Sequence, residues 1–408
     1  MYQSAASMFK NKKVLILGFG REGMSTYRFL RNMYPDMHLT IADKNEIKLD
    51  DKNVTLICGD SYMDSLNDFD IVMKSPGIAF LDVDIKDGTL VTCQTDLFLK
   101  FAPCRKVGIT GSKGKTTTST LIYDMLKEGG FDARLIGNIG VPVLEDINTV
   151  TPETIAVIEM SSHQLEFTTS SPEVAVLTNI YEEHLDHYRD GFRGYVNAKL
   201  NIVRRQKESD TFIYNATQGL DGLCDLGKIK SHKVGVKKDA PLPFAVNNEH
   251  LLGEHNRQDI LFAFEAAKHF GVDTAAAERA VEKFSGIEHR MEKVGTFRGI
   301  TFYNDCIATI PHAVECAVEA LKNVDTLIFG GMDRGLDYSE FENYLKKSNI
   351  KNLIGTPETG HKICDKIEGA PSKNVYKAAN LDEAVKKAYE VTAKGKILSL
   401  IHICRCRR

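Results

Sequence analysis

Short runs of apolar, often β-branched residues alternate with amphipathic stretches along most of the chain. Apolar runs of roughly four to eight residues predict buried strands, and longer stretches of helical periodicity predict helices. The first unit reads as strand KVLIL (13–17), turn GFGREG and helix MSTYRFLRNMY, followed by strands HLTIAD and DIVMKS. This alternation predicts parallel sheets covered by helices.

The same alternation restarts twice. A second series opens with strand KVGIT (106–110) and helix TTTSTLIYDMLKEGG, and continues with strands TIAVIEM, VAVLTNI and TFIYNA. A third begins near residue 291 with strand ITFYND and ends with strand KILSLI. We therefore predict an α/β fold of three domains, each with a largely parallel sheet, at residues 1–103, 104–290 and 291–408.

Composition narrows the class of protein. The 408 residues are 43% hydrophobic and 26% charged, which is typical of a soluble globular protein. The net charge of −3 gives no reason to expect a nucleic-acid partner. The nine cysteines are too scattered for a disulfide framework, and no apolar run approaches the ~18 residues of a membrane span. We expect a cytoplasmic monomer without membrane insertion.

A first glycine-rich loop separates the first predicted strand and helix. It has the spacing G-x-G-x-x-G, and Asp43, followed by Lys44, ends the next strand 20 residues beyond the last glycine. This arrangement suits a nucleotide whose phosphates meet a helix N-terminus and whose ribose meets the acid. A tight turn without ligand is the alternative, and the ligand need not be NAD. The loop residues are Gly18, Gly20, Arg21, Glu22 and Gly23.

A second glycine-rich loop, TGSKGKTT (110–117), follows strand KVGIT. Its backbone N–H groups can approach phosphates, Lys115 can reach the β- and γ-phosphates, and the Thr116 hydroxyl can ligate Mg²⁺. Ile109 stands where the full P-loop pattern has its first glycine. We predict a P-loop ATP-binding domain with contacts from Gly111, Ser112, Lys113, Gly114, Lys115, Thr116 and Thr117.

Two nucleotide-type loops on one chain favour a transferase or ligase over a dehydrogenase, which needs no ATP loop. A nucleotide-dependent oxidoreductase remains an alternative, because the first loop and Asp43 also fit NAD.

Ten segments in order resemble the Mur ligase family, from residue 13 to about residue 398. They are KSPGI, TGSKGKTT, GNIG, IEMSSHQLE, NIYEEHLDHY, NAKLNI, GEHNRQD, FSGIEHRME, NDCIAT and GGMDRGLDY. The resemblance implies Rossmann-like outer domains, a central ATP-binding domain, and an ATP-dependent ligase of peptidoglycan synthesis. The implied substrates are UDP-N-acetylmuramoyl-L-alanine, held by the first domain, and D-glutamate, held by the third.

The resemblance also implies a metal site. Glu159 ends strand TIAVIEM, where a carboxylate suits Mg²⁺, although an exposed strand-end acid would look the same. His184 is implied as a ligand of a second Mg²⁺. Lys199, otherwise an ordinary helical lysine, is implied to be carbamylated and to ligate metal, which requires a lowered lysine pKa. We expect no direct role for Asp186 or His187.

The remaining site residues are likewise implied by matching motifs. For ATP they are Asn256, Arg290 and Asp305, and for the UDP-substrate Ser75, Pro76, Asn138, Ser161 and Gln164. Thr309 and Arg334 are implied for D-glutamate, and the catalytic set is Lys115, Lys199, His184 and Arg290. Asp259, Cys306 and Ile307 depart from the family pattern, so no contact is transferred to them.

The C-terminal end departs from the family after Ser399, since the chain reads LIHICRCRR from residue 400. Neither zinc-ligand spacing nor helical periodicity is present there. A basic interaction tail is one interpretation; our expectation is a truncated third domain that couples D-glutamate poorly. The corresponding alternative function is an impaired ligase homologue that binds ATP and a UDP-sugar.

Overall fold

The computed structural model describes residues 7–306, 308, 311–331 and 337–402. They form two compact units. One takes in the chain up to Ala245 together with Gln258–Val281, and the other takes in Val246–Arg257 together with the chain from Glu282 onward. None of the helices within the described ranges is long and apolar enough to cross a membrane.

The first sheet lies in the first unit and is parallel throughout, with strand order β3-β2-β1-β4-β5. Its strands are β1 (Val14–Leu17), β2 (Leu39–Asp43), β3 (Val54–Cys58), β4 (Ile71–Lys74) and β5 (Leu90–Thr92). The run VLIL of β1 is buried on both faces, as expected for a central parallel strand. The same sheet domain contains helices α1 (Arg21–Met33) and α2 (Gln94–Phe101).

The second sheet belongs to the same unit and is also parallel throughout, in the order β11-β10-β9-β6-β8-β7. Its strands are β6 (Arg105–Thr110), β7 (Ala133–Gly137), β8 (Ile155–Glu159), β9 (Val174–Leu177), β10 (Thr211–Asn215) and β11 (His232–Val236). Its helices are α3 (Lys115–Glu128), α4 (Val143–Asp146), α5 (Ser162–Leu165) and α6 (Gly191–Arg204). Two further helices follow, α7 (Gly253–His269) and α8 (Thr274–Lys283).

The third sheet lies in the second unit, in the order β12-β13-β17-β14-β15-β16, and only the β12–β13 pair is antiparallel. Its strands are β12 (Glu292–Phe297), β13 (Ile300–Asn304), β14 (Val324–Gly330), β15 (Asn352–Thr356), β16 (Asn374–Lys377) and β17 (Ile397–His402). Its helices are α9 (Pro311–Leu321), α10 (Ser339–Lys347), α11 (Thr359–Ile367) and α12 (Leu381–Val391). Leu400, where the sequence leaves the family pattern, still pairs with Asn304 and Ile328.

The prediction of three α/β domains with largely parallel sheets is confirmed, whereas the domain boundaries stay predictions. Pattern reading missed strands β3, β5, β7, β11, β12 and β16. All six are edge strands of their sheets, and most of them alternate apolar with polar or small residues because they are only partly buried. Helices α2, α7, α8 and α11 and the one-turn helices α4 and α5 were missed as well.

The strand register determines which residues lie together at the edge of the second sheet. Ile109 of β6 pairs with Glu159 of β8, and Thr110 pairs with Leu177 of β9. The carboxyl ends of these three strands therefore lie at one edge of the second sheet. This edge receives the second glycine loop and the segments that follow Glu159 and Leu177.

A network of charged side chains links β6, β9 and α7 within the first unit. Arg105 donates two hydrogen bonds to the Glu173 carboxylate, at 2.6 and 3.1 Å, and His269 Nε2 lies 3.0 Å from the same carboxylate. Burial alone would raise the pKa of Glu173, but the hydrogen bonds and charges of His269 and Arg105 outweigh it and lower the pKa from 4.5 to about 2.

A glutamate with a lowered pKa stabilises the fold above its ordinary pKa, and this contribution is lost as pH falls from 4.5 toward 2. Glu173→Gln should therefore lower the free energy of unfolding by about 1 kcal/mol at pH 7, and by progressively less below pH 4.5. Urea unfolding over a pH series measures this difference. Glu145→Gln, at an exposed pair with Arg28, is the control. A pH-independent difference would contradict the assignment.

Candidate active site

The second glycine loop connects β6 to α3 and is held by the segment after β9. Gly111 has φ +152°, and a Cβ there would lie 1.9 Å from Thr178 Oγ1, so only glycine fits. The Ser112 N–H donates to the Asn179 carbonyl at 2.9 Å, and the Lys113 N–H donates to Asn179 Oδ1 at 2.8 Å. The loop is thus fixed in shape by backbone and amide contacts.

Three lysines surround this loop. Lys115 Nζ donates to the carbonyls of Gly111 and Ser112 at 2.8 and 3.0 Å, and Lys199 Nζ donates to the same Gly111 carbonyl at 2.7 Å. Lys113 Nζ pairs with Glu183 at 3.1 Å. Lys199 is only 1% exposed; burial, reinforced by the charge of Lys115, lowers its pKa well below the ordinary value.

A buried carboxylate ends β8 at the same edge. Glu159 is 1% exposed, and its Oε1 accepts a hydrogen bond from Asn138 Nδ2 at 2.6 Å. Its Oε2 is buried and has no hydrogen-bond partner among the described residues. An unpaired buried carboxylate oxygen is costly, and a cation would satisfy it.

The segment after β9 carries the predicted His184, which has φ +56° and precedes a 3₁₀ turn (Leu185–His187). Its ring centroid lies 6.4 Å from that of Tyr195, whose hydroxyl is 2.6 Å from Ser112 Oγ. His184 is therefore connected to the glycine loop through one aromatic side chain. A left-handed backbone at a non-glycine residue is often found at functional sites.

The neighbouring Glu183 is ionised at neutral pH. Burial alone would raise its pKa, but the charges of Lys113 and Lys115 lower it from 4.5 to about 2. This glutamate was not singled out in the sequence, since nothing in the letters EEHLDH distinguishes it from Glu182.

The first glycine loop lies between β1 and α1 and depends on close backbone packing. A Cβ at Gly23 would lie 1.9 Å from the Gly18 carbonyl oxygen. Asp43 Oδ2 accepts from the Phe19 N–H at 2.7 Å, and its Oδ1 accepts from the Asn45 N–H at 2.8 Å. The acid that sequence reasoning assigned to a ribose therefore also shapes the loop. The adjacent Lys44 is exposed, 3.9 Å from Asp60.

Several residues predicted to bind the UDP-substrate contact one another or lie side by side. Glu22 Oε1 accepts from Gln164 Nε2 at 2.7 Å, and Gln164 forms a capping box with Ser161 at the start of α5. Arg21 donates to the Gly140 carbonyl, two residues after Asn138. The Ser75 hydroxyl, next to Pro76, donates to the Gly18 carbonyl at 2.9 Å. The carboxyl edges of the first two sheets thus present these residues together.

Asp259, which departs from the family pattern, lies beside the second loop. Its Oδ1 accepts from Thr118 Oγ1 at 3.2 Å, and a Cβ at Gly114 would lie 2.4 Å from the same oxygen. This carboxylate packs on the first turn of α3.

In the second unit, two residues predicted to contact ATP form hydrogen bonds with other residues of the same unit. Asn256 Nδ2 donates to the Leu252 carbonyl at 2.8 Å. Asp305 Oδ1 accepts from the Met291 N–H at 3.2 Å, next to Arg290. Their roles stay predictions. Thr309 and Arg334, predicted for D-glutamate, and the tail from Ile403 lie outside the described residues.

Sequence reasoning gave no role to a second group of residues next to the site. His187, for which we expected none, lies 3.4 Å from Glu166 and against the ring of His163. Glu166 also pairs with Lys74 at 3.0 Å. The i, i+3 spacings of His163 with Glu166 and of His184 with His187 were the sequence signals that could have pointed to this cluster.

Three family models match the chain. They are the N-terminal domain of MurD-like Mur ligases at residues 12–91, the Mur ligase middle domain at residues 109–250 and the glutamate ligase domain of Mur ligases at residues 289–401. The UDP-N-acetylmuramoylalanine–D-glutamate ligases of Clostridium kluyveri and Ligilactobacillus salivarius are 33% and 32% identical to it. Each comparison covers 97% of this chain and 92% of the relative.

Among solved structures, MurF ligase from Thermotoga maritima in complex with ADP matches with a TM-score of 0.62 and 17% identity, over 96% of this chain and 91% of that chain. MurC from the same organism matches with a TM-score of 0.59 and 18% identity, over 97% and 96%. At this identity the likeness is one of fold.

Lys115→Ala should lower ATP turnover by about 10²–10³-fold, because a phosphate charge loses its nearest cation. Steady-state phosphate release measures this. Lys127→Ala, at an exposed position of the same helix α3, is the matched control and should be neutral. Near-normal turnover of the Lys115 variant would show that this loop does not hold the phosphates.

Proposed function

The chain belongs to the Mur ligase family, and from this we propose that it is an ATP-dependent ligase joining D-glutamate to UDP-N-acetylmuramoyl-L-alanine in peptidoglycan precursor synthesis. The observation that carries the proposal is the identity of 33% over 97% of the chain to a ligase of that name. The phosphate loop beside Glu159 and His184 supplies the matching chemistry.

The reaction proceeds in two steps. The L-alanyl carboxylate attacks the γ-phosphorus of ATP, giving an acyl phosphate and ADP. The D-glutamate amine then attacks the acyl carbon, loses a proton, and expels inorganic phosphate as the amide forms. Activation is required because an ionised carboxylate resists an amine. Lys115 and Arg290 are proposed to neutralise the transferred phosphate, and the residues that bind the substrates are proposed to align the reactants.

We propose Mg²⁺ as the cofactor that accompanies ATP. The orphaned Glu159 Oε2 fits such a cation, and Thr116, His184 and carbamylated Lys199 are the other proposed ligands. Within the described residues no group of three or more His, Cys, Asp or Glu side chains forms a ready-made metal site. When bound, Mg²⁺ supplies electrostatic stabilisation of phosphate charge.

The domain roles follow the three sheets. We propose that residues 1–103 hold the UDP-substrate, residues 104–290 hold ATP, and residues from 291 hold D-glutamate, with Thr309 and Arg334 as its contacts. The impaired-homologue alternative rests on the terminal letters CRCRR, which lie outside the described residues.

Phosphate release with ATP and UDP-N-acetylmuramoyl-L-alanine, assayed against a panel of D- and L-amino acids, tests the proposal. We expect release that depends on D-glutamate, with the L-enantiomer inactive. Strict dependence on another amino acid would reassign the third substrate. ATP hydrolysis that does not depend on the UDP-substrate would overturn the ligase assignment. Binding of NAD in place of that substrate would favour an oxidoreductase.

Lys199 should become carbamylated, because its lowered pKa leaves a neutral amine available to CO₂. With ¹³C-bicarbonate, the enzyme should show one ¹³C carbamate resonance that is lost in Lys199→Ala. Lys106→Ala is the matched control, since burial also lowers the pKa of Lys106 while its amine donates to the Ala102 and Cys104 carbonyls. A resonance that survives Lys199→Ala would rule out this site.

A further inference from the structure

Lys74 is the last residue of β4 and immediately precedes Ser75 in the first domain. Its side chain is 2% exposed, and its Nζ lies 3.0 Å from Glu166 Oε2, just after α5 of the second sheet domain. The ammonium also lies over the rings of Phe80 and Phe167, 5.4 and 5.3 Å from their centroids. A buried cation of this kind requires its carboxylate partner.

One oxygen of Glu166, Oε2, contacts both Lys74 and His187. The same Oε2 lies 3.4 Å from His187 Nε2. Burial alone would raise the pKa of Glu166, but His187 and Lys74 outweigh it and lower the pKa. An ionised carboxylate only accepts hydrogen bonds, so His187 must carry a proton on Nε2.

The imidazole ring of His187 is one of a row of three packed histidine rings, those of His187, His163 and His184. Its ring centroid lies 3.9 Å from that of His163, and the His163 ring meets the His184 ring edge-to-face at 4.7 Å. His184 adopts the left-handed backbone described above, which surrounding contacts must maintain. The row therefore extends from Lys74 of the first domain to His184 beside the phosphate loop.

We propose that Lys74 and Glu166 are positioning residues for the ligase reaction. Their ion pair fixes His187 as the Nε2–H tautomer and, through the packed rings of His187 and His163, holds His184 in place. The pair also ties the strand end that precedes Ser75 to the domain that carries the phosphate loop. This inference rests on the proposed function for the role of His184, whereas the tautomer of His187 is independent of it.

The tautomer can be measured directly. With ¹⁵N-histidine-labelled full-length protein, long-range ¹H–¹⁵N correlation distinguishes a protonated Nε2 from a protonated Nδ1, and loss of signals in His187→Asn assigns the residue. We expect the Nε2–H form of His187 in the wild type. Glu166→Gln removes the negative charge that both Lys74 and His187 face, and should weaken the preference of His187 for the Nε2–H form.

The same variant tests the consequence for catalysis. Glu166→Gln should lower kcat by about 10–100-fold, in line with the loss of groups that orient metal ligands, while the KM for ATP changes less than twofold. Glu208→Gln, at an exposed position of the second sheet domain, is the matched control and should be neutral. Lys74→Met should resemble Glu166→Gln, and Lys74→Arg should restore kcat because it returns the cation.

Two results would overturn the positioning role: an Nδ1–H tautomer of His187 in the wild type, or a Glu166→Gln variant with normal kcat. If Glu166→Gln fails to fold, as judged by its thermal unfolding midpoint, the wild-type tautomer and the contrast between Lys74→Met and Lys74→Arg decide. An Nε2–H tautomer in a wild type that shows no D-glutamate-dependent phosphate release would instead overturn the proposed function and retain only the ion pair's control of His187.

Discussion

The site depends on one backbone oxygen, the carbonyl of Gly111, to which the amino groups of Lys115 and Lys199 both donate. Two cations at one acceptor would repel each other, and the structure relieves this repulsion by burying Lys199, which favours its neutral amine. Lys199 is buried and has a strongly lowered pKa, whereas Lys115 starts helix α3 at the loop. The backbone of Gly111 packs so closely against Thr178 that no side chain fits at this position, and this packing holds the carbonyl in place.

Charge is balanced around this point by residues from neighbouring strands. Glu183 pairs with Lys113, and Glu159 offers a buried oxygen at the end of β8. Parallel pairing of β6 with β8 and β9 brings these groups to one edge, which is the usual location of ligands in open α/β sheets. The arrangement suits a reaction in which a highly charged phosphate is transferred.

Polar and charged side chains also meet at the interface between the first and second sheet domains. The segment Ser161–Thr169 of the second domain receives polar contacts from Glu22, Lys74 and Asp96 of the first. Glu22 and Gln164, which were both predicted to bind the UDP-substrate, contact each other across this interface. Such contacts do not exclude a substrate role, because the same atoms define the shape of the surface that a substrate would meet.

The sequence alone determined the three-domain α/β fold and both glycine loops, because runs of buried strand residues and tight strand-to-helix turns are local features of the chain. It also indicated Lys115 from the second glycine loop and Glu159 from the end of a predicted strand, whereas His184 was implied by the resemblance to the family. Only the tertiary structure brought Lys74 and His187 to His163 and Glu166, which lie in and just after helix α5, since these three segments lie far apart in the chain and their contacts depend on domain packing. A buried lysine at the end of a strand looks the same in sequence as an exposed one; its carboxylate partner, 92 positions away, is chosen by the fold.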